Sequence, residues 1–428
     1  MKIIKSKIQS EVMSQCQRPS ISFTQISPVI ENVFEEVRSK GDIALFEYTK
    51  SFDKVDFDSF KVSKELLKGS ARFVSDELKL AIKTAASNIK KFHLAQKTEV
   101  NIVETSKGVK CWQESRPIER IGIYVPGGSA PLFSTVLMLA IPAQIAGCKE
   151  VILCTPPDLN GEVNPAILYA AEMTGVTQVF RIGGAQAIAA MTFGTESIPS
   201  VYKIFGPGNQ YVTAAKIKAQ QFGIAIDMPA GPSELLVYAD ESAIPEFVAS
   251  DLLSQAEHGS DSQVICVSES EELIESVQMA IENQISLLPR EAIARGALLN
   301  SKFILSPDRK FSLDIINDYA PEHLILALKD ARDCALKVNN SGSVFIGNYT
   351  PESAGDYASG TNHTLPTSGF SKAYSGVNLD AYLKKITFQE ISKEGLLEIG
   401  NAIEVMSEAE RLQGHKNAVS LRLQKIRS

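Results

Sequence analysis

The chain has 428 residues, 44% of them hydrophobic and 22% charged, enough for a large buried core and, by size, about two to four domains. A net charge of -7 and a sequence pI near 5.5 leave no basic field to attract phosphates, which argues against nucleic-acid and membrane-surface roles and for a small-molecule partner. No segment reaches a membrane-spanning length of apolar residues and Met1–Gln9 lacks the apolar core of a signal peptide, so a cytoplasmic protein is expected.

Residues 1 to about 115 read as largely helical and polar, with Val29, Val33 and Val37 on one stripe and Leu67, Phe73, Leu78 and Ile82 continuing it. From Arg120 short apolar strands alternate with helices. They are Ile121–Val125, a helix from Ser134 to Gly147, Val151–Leu153, a helix closed at Gly175, Val179–Ile182, a helix to Gly194, and Tyr202–Phe205. This alternation predicts βαβ units and a parallel sheet. Glycine-rich turns follow the strands at Pro126-Gly127-Gly128-Ser129, Gly183-Gly184-Ala185-Gln186 and Gly206-Pro207-Gly208-Asn209, where backbone N–H groups can approach a dinucleotide phosphate. The strict dinucleotide fingerprint is absent, and an ordinary tight-turn role stays open. Tyr124, Gln186 and Asn209 stand beside these turns as base or ribose contacts.

Residues 227–234 lead into a strand at Leu235–Tyr238, with Ser233 at the turn, and a second α/β unit follows. Its elements are a helix from Pro245 to Gly259, strands at Gln263–Val267, Phe303–Leu305, Leu324–Leu326 and Val344–Ile346, and the helices between. Residues 348 to 376 read as irregular and rich in glycine, serine and threonine, the kind of segment on which function concentrates. A strand near Ile386 and two helices close the chain, with Glu410 and His415 at the helix junction. The expected fold is therefore α/β, with two Rossmann-like parallel-sheet units and small N-terminal and C-terminal helical extensions. The expected divisions are 1–20, a discontinuous domain of 21–117 with 235–380, a second domain at 118–234, and a C-terminal helical domain at 381–428.

The histidines point to the chemistry. There are five, and His93 reads as a solvated surface residue at the end of an amphipathic run. His258, His323, His363 and His415 lie instead in polar or glycine-rich segments. Gln255 and His258, three apart, share a helix face, whereas Glu257 is turned by about 100° and is not expected as a ligand. Imidazole, carboxylate and amide oxygen together suit a divalent ion such as zinc, with manganese or cobalt as substitutes. The six cysteines show no paired spacing, and Cys154 and Cys266 fall inside strand-like runs, so packing explains them better than catalysis.

Seven segments together resemble the histidinol dehydrogenases. They are Tyr-Val-Pro-Gly-Gly at 124–128, Gly-Pro-Gly-Asn at 206–209, Ala-Gly-Pro-Ser-Glu at 230–234, Ser-Gln-Ala-Glu-His-Gly at 254–259, Pro-Glu-His-Leu at 321–324, Gly-Asp-Tyr-Ala-Ser-Gly-Thr-Asn-His at 355–363, and Glu410 through His415. The resemblance runs from about residue 20 to the C-terminus. It implies a four-electron oxidation of L-histidinol to L-histidine through L-histidinaldehyde, with two NAD+ used in succession. It implies zinc on Gln255, His258, Asp356 and His415, residues that also surround the substrate. Acid–base work falls to Glu322 and His323, substrate contacts to Ser233, His363 and Glu410, and NAD+ contacts to Tyr124, Gln186 and Asn209. It further implies an intertwined homodimer in which Glu410 and His415 cross to the other subunit's site. The competing readings are a metal-dependent amidohydrolase without a dinucleotide, an aldehyde dehydrogenase working through a cysteine thioester, and an inactive scaffold.

Overall fold

Apolar runs of four to six residues, buried on both faces, can only be central strands of a covered sheet, and the chain builds two such sheets. The computed structural model describes residues 1–19, 23–127 and 131–428, with backbone alone for Phe23–Gln25. Gly128 and Ser129, part of the first glycine turn, lie outside the described residues, as does the expected boundary at residues 20 and 21.

In the first sheet to form along the chain, the strands Arg120–Tyr124, Glu150–Thr155, Gln178–Arg181, Lys203–Phe205 and Ala225–Ile226 are all parallel. The last two pair on the opposite side of Arg120–Tyr124 from the others. The connection therefore reverses direction between Arg120–Tyr124 and Lys203–Phe205, a topological switch point. The other sheet repeats this order with Glu234–Ala239 at its centre. Gln263–Ser268 and Lys302–Leu305 lie to one side, and His323–Ala327 and Ser343–Ile346 to the other.

The N-terminal region corrects one expectation. Lys2–Ile4 is a strand that extends the second sheet beside Lys302–Leu305, and Val103–Ser106 and Val109–Pro117 are strands as well. Residues 1 to 115 are thus less helical than their polarity suggests, because strands partly exposed to water need no apolar run. Helix Phe23–Lys40 packs on helices Gly184–Phe193 and Gln210–Gln220, and Asp76–Leu94 packs on Phe133–Ala146. His93, expected at the surface, is fully buried. Its Nδ1 lies 2.9 Å from Ile89 O one turn back, and its Nε2 3.5 Å from the Asn362 amide. The helix that carries it is covered by its neighbour, which an amphipathic pattern alone does not reveal.

Two compact units result: Met1–Ala95 with Ile118–Ala381, and Gln96–Pro117 with Tyr382–Ser428. The smaller one is an antiparallel sheet of Leu383–Ile391, Val109–Pro117 and Val103–Ser106, with helices Lys393–Ala409 and Gln413–Arg427 packed on each other. Leu423 packs against Gly400 at their crossing.

At the switch point Gly206 adopts φ +128, and a Cβ there would stand 2.0 Å from Tyr124 O, so no other residue fits. Beneath this turn Lys216 and Asp227 form a fully buried ion pair. Lys216 Nζ donates to Gly206 O at 2.8 Å, and Asp227 Oδ2 accepts from Gly206 N at 2.8 Å. Lys216→Met should cost about 3–5 kcal/mol by leaving Asp227 buried and unpaired, and adding Asp227→Asn should restore part of it. Urea unfolding of both variants checks this; a loss below about 1 kcal/mol in the single variant would show that the pair does not hold the turn.

Candidate active site

Helix Pro245–Ala256 begins on its proline and ends one residue after Gln255, and His258 lies in the turn that follows, its N–H bonded to Gln255 O. The helix stops at Ala256 rather than running to Gly259. Gln255 is completely buried, yet neither its amide oxygen nor its amide nitrogen has a hydrogen-bond partner among the described residues. A buried primary amide with both ends free is costly, and a ligand is the usual reason for keeping one. His258 stands exposed at the mouth of the crevice, where desolvation and then Arg290 lower its pKa.

Opposite, the starts of two adjacent strands bring acid and imidazole together. His323 pairs in register with Leu235, so Glu322 and Glu234 lie next to each other just ahead of that pair. Their bonding is reciprocal: Glu234 N donates to Glu322 Oε2 at 3.0 Å and Glu322 N to Glu234 Oε1 at 3.2 Å. Arg18 clasps the Glu234 carboxylate through Nε and Nη2 and lies over the Tyr319 ring. Burial still raises the pKa of Glu234, and it raises that of Glu322 well above the ordinary range.

His323 is 4% exposed. Its Nδ1 faces Glu234 O at 3.2 Å and therefore carries the proton as a donor, which leaves Nε2 as the acceptor. No hydrogen-bond partner meets Nε2 among the described residues. Around the ring stand Glu322 Oε2 at 3.7 Å, Glu352 Oε1 at 3.5 Å and Asp356 Oδ1 at 3.8 Å. Desolvation lowers the His323 pKa to about 3, and the same burial raises that of Asp356 to about 7. His363 Nδ1 donates to Asp356 O at 3.0 Å, which leaves Nε2 to accept from Thr135 Oγ1 at 3.1 Å, and burial lowers its pKa to about 4. Its loop is braced by Asn362, whose amide donates to Met138 O at 2.6 Å. A cavity of about 280 Å³ joins Ser233, His258, Glu322 and His363 to the Gly206–Asn209 turn of the other sheet.

Next to it a larger cavity, about 920 Å³, is lined by Tyr124, Gln186 and Asn209 together. The Tyr124 hydroxyl accepts from Gly184 N at 3.0 Å. Asn209 caps helix Gln210–Gln220 through Oδ1, which accepts from Tyr211 N and Val212 N. Its capping role is structural.

The structure thus gathers Ser233, Gln255, His258, Glu322, His323, Asp356 and His363 in one unit. Glu410 and His415 belong to the smaller unit, where both are exposed at the junction of its two helices. Three further residues escaped the sequence reading: Arg18, Glu234 and Glu352. Glu352 is 1% exposed and neither carboxylate oxygen has a hydrogen-bond partner among the described residues. Its one signal was the four-residue spacing to Asp356 on helix Glu352–Tyr357. Among the described residues, His323, Glu352 and Asp356 form a group with ligand atoms within 4.8 Å of one another, a set that shares only Asp356 with the four expected ligands. The cysteines carry no chemistry of this kind: Cys154 and Cys266 are wholly buried and burial raises both thiols, Cys266 to about 12.

A twin α/β frame with a glycine-lined cavity at a topological switch point is of the class that binds its ligand at the ends of parallel strands. The model of the histidinol dehydrogenase family matches residues 16–423, and the chain belongs to that family. It is 55% identical to a histidinol dehydrogenase of Bacteroides fragilis over 100% of both chains, and 51% identical to one of Escherichia coli over 96% of this chain and 94% of the relative. The crystal structure of histidinol dehydrogenase from Elizabethkingia anophelis superposes with a TM-score of 0.97 at 55% identity, covering 100% of this chain and 99% of that one. A betaine aldehyde dehydrogenase of Staphylococcus aureus, 12% identical over 84% of this chain and 83% of its own, reaches a TM-score of 0.50, a likeness of fold alone.

Proposed function

We propose that the protein oxidises L-histidinol to L-histidine through L-histidinaldehyde, using two NAD+ and one zinc ion per site, in the last steps of histidine biosynthesis. One observation carries the reading: His323 is buried, fixed in its tautomer through Nδ1 and without a partner at Nε2 among the described residues, while Glu322, Glu352 and Asp356 stand within 3.8 Å of its ring nitrogens. The donor types suit a zinc ion, since imidazole and carboxylate are among its usual ligands and the buried Gln255 amide oxygen has no hydrogen-bond partner among the described residues. Gln255, His258 and Asp356 would hold it with His415, and the alternative group of His323 and Glu352 with Asp356 would remove the base from its work. When bound, zinc supplies an anchor for the substrate's imidazole and amine nitrogens, and NAD+ supplies the hydride acceptor.

The chain's own residues do the rest. Burial keeps His323 neutral, so Nε2 can take the alcohol proton, and the carboxyl groups around the ring stabilise the imidazolium that forms. Glu322, placed by the exchange of backbone bonds with Glu234, activates the water that the aldehyde step consumes. Ser233 and His363, both lining the small cavity, orient the substrate. Assembly as a homodimer is supported by the smaller unit, whose helices expose Leu397, Val405, Met406 and Leu421.

NADH yield with histidinol tests the core of this reading. Two NADH per histidinol are expected, lost on chelation and restored by zinc, while circular dichroism shows the fold retained. An unchanged yield after verified metal removal would sink the zinc assignment, and cooperative unfolding would make the ion structural.

The half-reactions should separate. His323→Asn is expected to slow alcohol oxidation by about 100-fold or more, the usual range for a lost general base. Glu322→Gln should impair aldehyde oxidation more than alcohol oxidation, because only that step consumes water. Single-turnover rates from histidinol and from histidinaldehyde decide it, and equal losses in both steps for Glu322→Gln would withdraw its role.

Shared sites are tested by co-refolding His415→Ala with His258→Ala. Each parent should be inactive, and in a mixed dimer one site carries both lesions and the other none, so activity should reappear. Inactive mixtures with heterodimers verified by mass would mean that each site is built within one chain.

A further inference from the structure

We infer that Asp53 selects the unphosphorylated adenine dinucleotide, accepting a hydrogen bond from a ribose hydroxyl and repelling a phosphate attached in its place. The inference rests on the cofactor reading above and extends it to a residue with no role so far. Asp53 ends the π-helical turn Thr49–Asp53, and Lys54 leaves that turn in the left-handed region at φ 60, a backbone cost of the kind that functional segments carry. Its side chain lines the 920 Å³ cavity that also contains Tyr124, Gln186 and Asn209. The Oδ2 atom is buried, and no hydrogen-bond partner meets it among the described residues. Burial raises its pKa to about 6, so near neutral pH the group is mostly ionised and lacks a donor.

The surroundings indicate what the donor is. Val29, Ile30 and Val33 form an apolar wall of the same cavity, and Phe52, which also lines it, is 59% exposed. Together they offer a flat apolar seat for a base, with the Asp53 carboxylate at the adjoining residue. The second carboxylate of the lining, Asp158, is engaged in its own turn, where Oδ1 accepts from Asn160 N and Glu162 N. The described lining contains no lysine, arginine or histidine. A phosphate on the ribose needs a cation or several donors, and here it would meet a negative oxygen. A ribose hydroxyl supplies the one thing Oδ2 is missing.

Steady-state rates with histidinol and NAD+ or NADP+, with NADH and NADPH binding followed by fluorescence, test this in the wild type and in Asp53→Asn. The wild type should favour the unphosphorylated form. In Asp53→Asn, kcat/KM for NAD+ should fall about tenfold and that for NADP+ should rise, so that the preference narrows by more than about tenfold. The melting temperature should not fall, because the substitution removes a buried unpaired charge. A preference within about twofold of the wild type overturns the inference. So does an equal loss for both cofactors together with a lower melting temperature, the mark of a merely structural residue. If Asp53→Asn does not fold, Asp53→Ser is judged by the same criteria. Wild-type protein that binds neither NADH nor NADPH would defeat the cofactor reading itself, whereas binding of NADH with an unaltered preference in the variants defeats only the role of Asp53.

Discussion

Carboxyl groups are crowded around one imidazole in a place that water scarcely reaches, and the rest of the site follows from how that crowding is tolerated. Glu234, Glu322, Glu352 and Asp356 all have raised pKa values because of burial, Glu322 also because of Glu234 and Asp356, and Glu352 also because of Asp356 and Glu322. Several negative charges cannot share a low-dielectric volume without compensation. Glu234 is compensated by Arg18 and Glu322 by a backbone N–H, whereas Glu352 has neither. Such a site is arranged to receive positive charge. A divalent ion and a cationic amine are both of that kind, and in the function proposed above the Gln255 amide would add a neutral ligand without further repulsion.

The two sheets contribute opposite ends. In the sheet built from 120–226, the functional turns follow the strands, as expected for an open parallel sheet with its switch point between Arg120–Tyr124 and Lys203–Phe205. In the sheet built around Glu234–Ala239, the acids and His323 stand at the start of the strands. The small cavity therefore runs from the carboxyl ends of one sheet to the amino ends of the other. Rigid strands hold the groups on both sides, and the glycine-rich segment that brings His363 is pinned through Asn362 to helix Phe133–Ala146 and through Ala358 O, which accepts from the Asn88 amide, to helix Asp76–Leu94. Few of these groups can shift without breaking buried hydrogen bonds, which is the preorganisation that acid–base chemistry requires.

Much of this was legible in the residues. Apolar runs between glycine turns announced the strands, and the seven family-like segments announced the family. The failures share a cause. His93 was misjudged because an amphipathic stripe does not say which face a second helix covers. Val103–Ser106 and Val109–Pro117 were missed because a half-exposed antiparallel strand needs no continuous apolar run. Arg18 and Glu352 gave almost no local signal, since each acquires its role from a residue distant in the chain or from burial itself.

By itself the sequence determined the alternation of strands and helices, the positions of the turns and the types of group available for chemistry, because these depend on neighbours a few residues apart. Only the tertiary structure decided which ends of the two sheets face the cavity, that Glu234 and Glu322 hold each other in place, that Gln255 has no hydrogen-bond partner among the described residues and that Asp53 lines a cavity whose described lining has no cationic side chain. Those facts depend on contacts between segments up to hundreds of residues apart and on the exclusion of water from between them. Neither is written in any local pattern.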